Sequence, residues 1–358
     1  MELNQELISR DYSKLPKKYW ASQNLCWYLH DVIMSIFMEV VDNNLIDTEI
    51  ALSDEEKLDI LEGYENVYDW LKSSERHNEF TIIFCKDLFM RLLGDFLNYI
   101  HEVLSNLERG KVTIACDLLR KPFKDNLLYM EWILFNDVEL SNLVYNEEID
   151  KYAMGRSGLS KEYINEIVKY NVSQNRFING FGSERFENII YDIRYNYDSL
   201  NSLELVWNKA THLVTTGRKV KTKNFNFIYN DRDDYDEYWN YLYGKIPTLL
   251  LHSLGVVENI FDKYFRKIGD ASKKYNFSLI MGKFFGADES TQEFAEILTN
   301  LGDNKLNLIC ENCKKIVKYN KPESYVFYNY WETMCPECKK EINTCRYFFL
   351  EKYKQTKD

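Results

Sequence analysis

Proline and glycine are scarce in this chain, at 5 and 14 of 358 residues. An all-β chain of this length needs many more turn residues, so the scarcity favours a mainly α-helical protein. Long uncharged apolar runs are missing too. The longest apolar stretch, residues 246–257, is broken by Pro247, His252 and Ser253. It falls short of the roughly 18 residues of a membrane-spanning helix, so no membrane partner is expected. The first residues, MELNQELISRDYSK, lack the basic-then-apolar order of a secretory signal. A soluble, cytoplasmic protein is the simplest reading. Thiols stay reduced in that compartment, so regular cysteine spacing points to metal before disulfide.

Positive charge is also in deficit, with 45 Lys+Arg against 56 Asp+Glu and a net charge of −11. That balance argues against a general nucleic-acid coat protein, which needs basic surface, but not against a local basic site. The charge is uneven. Eleven acids and one lysine, Lys57, fall within residues 39–69, whereas residues 305–358 hold eleven cations and seven acids. Hydrophobic residues make up 45% of the chain, enough for a sizeable core. The length suggests two domains, or one large domain with an appendage.

Apolar spacing of three and four residues predicts a helix over 23–41. Another is expected over 53–72, opened by Ser53 and Glu56 in capping-box spacing. The longest pattern, Phe80 through Leu107, ends at Arg109-Gly110, and a second helix over 111–132 contains Pro122, which predicts a kink. So short a connection makes the two antiparallel, the spine of a helical bundle. Further helices are expected over 161–170, 184–194 (capped by Ser183), 199–215, 235–268 with a break at 244–247, and 270–301. Residues 225–230, FNFIYN, alternate like a short strand. A helical body over 1–302 is expected to give way to a different module over 303–358.

That module carries Cys310-Glu-Asn-Cys313 and Cys335-Pro-Glu-Cys338, two C-x2-C pairs with 21 residues between them. Four thiolates at this spacing make a tetrahedral shell for one structural Zn²⁺, with no open position for catalysis. Residues 325–331, YVFYNYW, have the composition of a strand, so the expected module is a zinc ribbon of two knuckles and a β-hairpin. Such ribbons bind proteins or nucleic acids. Cys345 is a rival ligand without a paired neighbour. Cys26, Cys85 and Cys116 read as small core residues.

Among the five histidines, His30, His101 and His252 fall within helical patterns and read as packing or surface residues, and His77 as exposed. His212 differs, because the basic stretch with Arg218, Lys219, Lys221 and Lys223 follows directly. A histidine beside a phosphate-attracting loop suits acid–base work on RNA; the plainer reading is a helix C-terminal histidine with a solvated turn behind it. Arg120 precedes the predicted kink, where it would hold a phosphate bidentately; its plainer role is pairing with Asp117 on a solvent face. Motifs of P-loop, dinucleotide-binding, zincin and serine-hydrolase type are absent.

The segments LLRKPFKDNLLYMEWIL, residues 118–134, and WNKATHLVTT, residues 207–216, resemble the HEPN-like superfamily of bacterial defence and abortive-infection proteins. The similarity spans about residues 79–267. It implies a helical bundle, often a homodimer, and in active members metal-independent RNA cleavage by an arginine and a histidine. Arg120 and His212 are the positions that would inherit those roles. One departure stands out: active members carry Arg-x4–6-His, and the corresponding positions here are Leu205, Val206 and Trp207. The resemblance therefore leaves two alternatives: an endoribonuclease, or a non-enzymatic adaptor whose ribbon binds a protein or nucleic-acid partner.

Overall fold

Apolar residues at helical spacing bury one face of each long helix, and the fold follows from how those faces meet. In the computed structural model the described residues are 14–63, 67–74, 76–153, 158–179, 188–216, 225–228, 232–286, 306–310, 312–319 and 334–349. The chain is mainly α-helical, as its composition predicts. Helix α1 (Trp20–Asp42) seals Leu25, Leu29, Val32, Ile33, Ile36 and Val40. A fully buried leucine or isoleucine contributes about 1.5–3 kcal/mol, so this stripe anchors the bundle. Among the described residues, only Lys17–Asp42 is long and apolar enough to cross a membrane, and 56% of its apolar window is buried inside the protein.

Of the helix expected over 53–72, the described residues give α2 (Asp54–Gly63) and α3 (Val67–Ser73), and residues 64–66 between them lie outside the described residues. The capping box at its start is formed as read. Glu56 N–H donates to Ser53 Oγ at 3.2 Å, and Ser53 N–H donates to Glu56 Oε2 at 2.8 Å. Next comes α4 (His77–Glu108), the longest helix, with Phe89, Leu93, Phe96, Ile100, Val103 and Leu107 fully buried. It stops at Gly110, whose φ of +71° lies in the left-handed region that only glycine adopts without strain. The chain reverses into α5 (Val112–Leu118) and returns along α4, which makes the predicted antiparallel spine.

The kink expected at Pro122 is a π-helical turn, Lys121–Asn126, leading into α6 (Leu127–Tyr145). Proline removes one backbone donor, and the wider turn absorbs the mismatch. A second break occurs at Asn136 (φ −157°, ψ 80°), whose Oδ1 accepts the Glu139 N–H at 3.1 Å and so starts the remaining helix afresh.

Short α7 (Ile149–Tyr152) precedes α8 (Lys161–Gln174), which Ser160 caps by accepting the Tyr163 N–H at 3.1 Å. Then follow α9 (Arg176–Asn179) and α10 (Ile189–Tyr195). The expected Ser183 cap lies outside the described residues. Helix α11 covers only Glu204–Thr211, not 199–215. Before it, Asn196 and Ser199 side chains accept the N–H groups of Asp198 and Asn201, turn bonds that compete with helix. Helices α12 (Arg232–Tyr243) and α13 (Ile246–Tyr264) show the predicted break, with Pro247 in the first turn of the new helix. The buried face of α13 packs against α1, α6 and α9. Helix α14 (Asp270–Gly286) ends the described helical body.

The expected boundary at 302–305 and the strand at 325–331 lie outside the described residues. Among the described residues two short strands flank the first cysteine pair: β1 (Leu306–Ile309) and β2 (Ile316–Tyr319), antiparallel, with Ile309 opposite Ile316. The described part of FNFIYN, Phe225–Ile228 in sequence order, forms no strand.

Candidate functional site

Three polar assemblies stand out, and the first is the cysteine cluster. The sulfurs of Cys310, Cys313, Cys335 and Cys338 all lie within 4.8 Å of one another. Cys310 Sγ and Cys338 Sγ are 3.5 Å apart, and Cys313 Sγ and Cys335 Sγ 3.7 Å. A tetrahedron with metal–sulfur bonds of about 2.3 Å has edges of about 3.8 Å, so the donor set fits one four-coordinate metal ion.

The two cysteine pairs are built alike. Lys314 N–H donates to Cys310 O at 2.8 Å and Cys310 N–H to Lys315 O at 3.0 Å; Lys339 N–H donates to Cys335 O at 2.9 Å and Cys335 N–H to Lys340 O at 2.8 Å. Lys314 and Lys339 share a φ of +57°. Each turn caps an antiparallel pairing, Ile309 with Ile316 in one and Met334 with Glu341 in the other. The turns also exchange side-chain bonds: Lys315 Nζ donates to Glu337 at 2.7 Å, and Lys340 Nζ to Asn312 at 2.9 Å. The two turns thus repeat one hydrogen-bond pattern around the sulfurs.

Backbone amides favour the thiolate form in both cysteine pairs. The Lys340 amide helps draw the Cys338 thiol down to about 6. The Lys315 amide favours the Cys313 thiolate likewise, but desolvation and the other three cysteines push that thiol up to about 11. Four clustered thiolates repel one another, and a cation between them removes that repulsion. Cys345 is absent from the cluster, so the rival ligand is set aside.

This module is docked on the helical body. Cys310 and Cys335 pack with Ile342, Phe348 and Leu279 of α14. Beyond them the chain inserts into the body. Tyr347 N–H donates to Ser35 Oγ at 2.7 Å, and Phe348 exchanges two 2.8 Å bonds with the Asn276 side chain.

The second assembly is an exposed corner where α5, the π-helical turn and α11 meet. Thr211 Oγ1 donates to Asp117 Oδ1 at 2.9 Å, which ties the residue before His212 to the segment leading into Arg120. His212 ends α11, exposed, with its backbone N–H on Asn208 O at 3.0 Å. Arg120 is exposed at the surface. Its guanidinium is 47% exposed and lies 3.6 Å from Asp125. Nor does it or Lys121 pair with Asp117: Lys121 takes Asp95 at 2.7 Å. No hydrogen bond joins Arg120 to His212 among the described residues. Asp125 was not legible as a site residue; its Oδ1 is buried without a hydrogen bond, and burial raises its carboxyl above the usual range despite Arg120. Arg218, Lys219, Lys221 and Lys223 lie outside the described residues.

The third assembly is sealed. Glu131, Arg194 and His252 are each fully buried. Arg194 Nη1 reaches both Glu131 oxygens at 2.7 Å, and His252 Nε2 lies 2.7 Å from Glu131 Oε1. Arg194 Nε donates at 2.6 Å to Phe123 O, and the Tyr195 hydroxyl at 2.6 Å to Lys124 O. These carbonyls belong to the π-helical turn. Asn175 completes the group, donating to His252 O at 2.9 Å. Burial disfavours the Glu131 carboxylate, yet Arg194 and His252 hold it below its ordinary value. With no solvent access, this cluster is a structural tie and not a place for substrate. Its one legible signal was Glu131 alone in the apolar run LLYMEWIL.

Cys26, Cys85 and Cys116 are fully buried in helices, as read. Desolvation pushes all three thiols up, Cys85 to about 12, so they are inert. His30 packs beneath Trp27 and Leu97, while His77 and His101 are exposed. Compared with family models, with curated proteins and with solved structures, the chain matches none of them.

Proposed function

We propose that this chain is a cytoplasmic HEPN-like helical protein of the defence or stress-response kind that acts on RNA at the α5–α11 corner. One observation supports the reading: the Thr211–Asp117 hydrogen bond joins the Arg120 segment to the His212 segment, as the resemblance requires. In the enzymatic form, His212 takes the proton of an RNA 2′-hydroxyl while its oxygen bonds to the adjacent phosphorus. The P–O5′ bond breaks and the proton goes to the leaving oxygen, with Arg120 balancing the phosphate charge. The products are a 2′,3′-cyclic phosphate and a 5′-hydroxyl, and no metal takes part in the step. The test is cleavage of labelled RNA by the purified chain, with His212→Ala abolishing it. An inactive wild type on every RNA tried refutes the enzymatic form.

The adaptor reading has its own support. The positions where active members place arginine are Leu205, Val206 and Trp207, and Val206 and Trp207 are core residues. The four-cysteine module would then be the docking unit for a protein or nucleic-acid partner. In either case its ion is Zn²⁺, held by Cys310, Cys313, Cys335 and Cys338 in a structural role. Metal analysis is expected to find one zinc per chain, lost in Cys335→Ser; well-folded protein without zinc refutes this.

A further inference from the structure

The four clustered cysteines differ in access. Cys310 and Cys335, the first residue of each C-x2-C pair, are fully buried and pack with Leu279, Ile342 and Phe348. Cys313 and Cys338, the second of each pair, are only half-buried. Each turn therefore carries one sealed sulfur and one that small solutes reach. The 3.5 Å contact joins sealed Cys310 to reachable Cys338, and the 3.7 Å contact joins sealed Cys335 to reachable Cys313. Both contacts run from one turn to the other.

This arrangement suits two-electron oxidation. An oxidant attacks an accessible thiolate, and a second sulfur nearby resolves the product as a disulfide. Metal binding keeps all four cysteines deprotonated, so the reachable pair is held in its reactive form. Closing a 3.5 Å contact to a disulfide bond takes a shift of about 1.5 Å. The Lys315–Glu337 and Lys340–Asn312 bonds already hold the two turns face to face, so the shift needs no rearrangement of the module.

We propose that the cysteine cluster is an oxidant-responsive site that exchanges its metal for two disulfides between the turns, Cys310–Cys338 and Cys313–Cys335. The inference rests on the zinc reading above and adds the chemistry of the site toward peroxides. The Cys338 thiolate attacks hydrogen peroxide and becomes a sulfenic acid; the O–O bond breaks, and the departing hydroxide takes a proton to become water. The Cys310 thiolate then attacks that sulfur, forming the S–S bond and expelling hydroxide, which is protonated to a second water. Cys313 and Cys335 consume a second peroxide in the same way. Two peroxides and four protons thus turn four thiolates into two disulfides and four waters. Disulfide sulfurs carry no charge, so the four residues release the ion. The new bonds link the same two turns that the metal linked. The bonds of Tyr347 to Ser35 and of Phe348 to Asn276 are therefore kept.

The test uses the full chain, purified with its metal and assayed for zinc before any oxidant is added. Hydrogen peroxide is titrated in, zinc release is followed with a chromogenic chelator, and disulfides are mapped by mass spectrometry after free thiols are blocked. Proteolysis after Glu311 and Glu337 separates the two members of each C-x2-C pair. Zinc is expected to leave in step with the loss of four thiols, giving Cys310–Cys338 and Cys313–Cys335 peptides, while buried Cys26, Cys85 and Cys116 stay reduced. Hydrogen exchange at the Tyr347 and Phe348 amides is expected to stay slow in the oxidised chain. Disulfides within the pairs, Cys310–Cys313 or Cys335–Cys338, overturn the proposal, as does fast exchange at those two amides. Zinc retained under excess peroxide overturns it while supporting the zinc reading. Disulfides between the turns in protein isolated without zinc support the oxidative pairing while refuting the zinc reading.

Discussion

The π-helical turn at Lys121–Asn126 separates two polar assemblies that behave in opposite ways. On its inner side, Phe123 O and Lys124 O accept bonds from Arg194 and Tyr195, and the charges of Glu131 and Arg194 are fully buried. On its outer side, Arg120 is half exposed and spans 3.6 Å to Asp125, and His212 carries no side-chain hydrogen bond among the described residues. Buried charges must satisfy one another, because water is not available to do so. Exposed ones need no partner and stay available to a ligand. A site for chemistry is therefore sought on the outer face, and stability is sought on the inner one.

Breaking the inner cluster gives the largest effect. Glu131→Gln leaves Arg194 buried without its counter-charge, and chemical denaturation is expected to show a loss of about 3–5 kcal/mol. An unaltered midpoint would mean that water reaches the cluster. Acid does the same by titration. Because the folded state holds Glu131 below its ordinary value of 4.5, its contribution is complete above that pH and is lost as pH falls below it. A melting temperature that declines there in the wild type, and less steeply in Glu131→Gln, is the expected result.

A smaller loss is expected from Gly255→Ala. A Cβ at Gly255 would lie 2.3 Å from the Asn175 side chain, displacing the group that donates to His252 O. Overpacking of this kind costs about 1–3 kcal/mol by denaturant titration. On the outer face, Arg120→Ala and His212→Ala are expected to shift stability by no more than about 0.5 kcal/mol and, under the proposed enzymatic reading, to abolish RNA cleavage. A large stability loss from either would erase the distinction between the two faces.

Much of the fold was legible, for local reasons. The Ser53–Glu56 box, the Gly110 reversal and the break before Pro247 depend on residues a few positions apart. The cysteine spacing likewise marked the four cysteines that cluster, and each cysteine turn closes an antiparallel pairing of its own. Arg120 was read as holding a phosphate or pairing with Asp117 on a solvent face; it lies against Asp125 instead, and the arginine that the interior takes is Arg194.

What the sequence determined by itself was the helical class, the main helix ends and the sulfur cluster, because periodicity, caps and C-x2-C turns are short-range physics. Tertiary structure alone decided which charges are sealed. Glu131 meets Arg194 and His252 across separations of 63 and 121 residues. Nothing local encodes such a meeting. It arises only when packed helices exclude water from one side of the π-helical turn and leave the other side open.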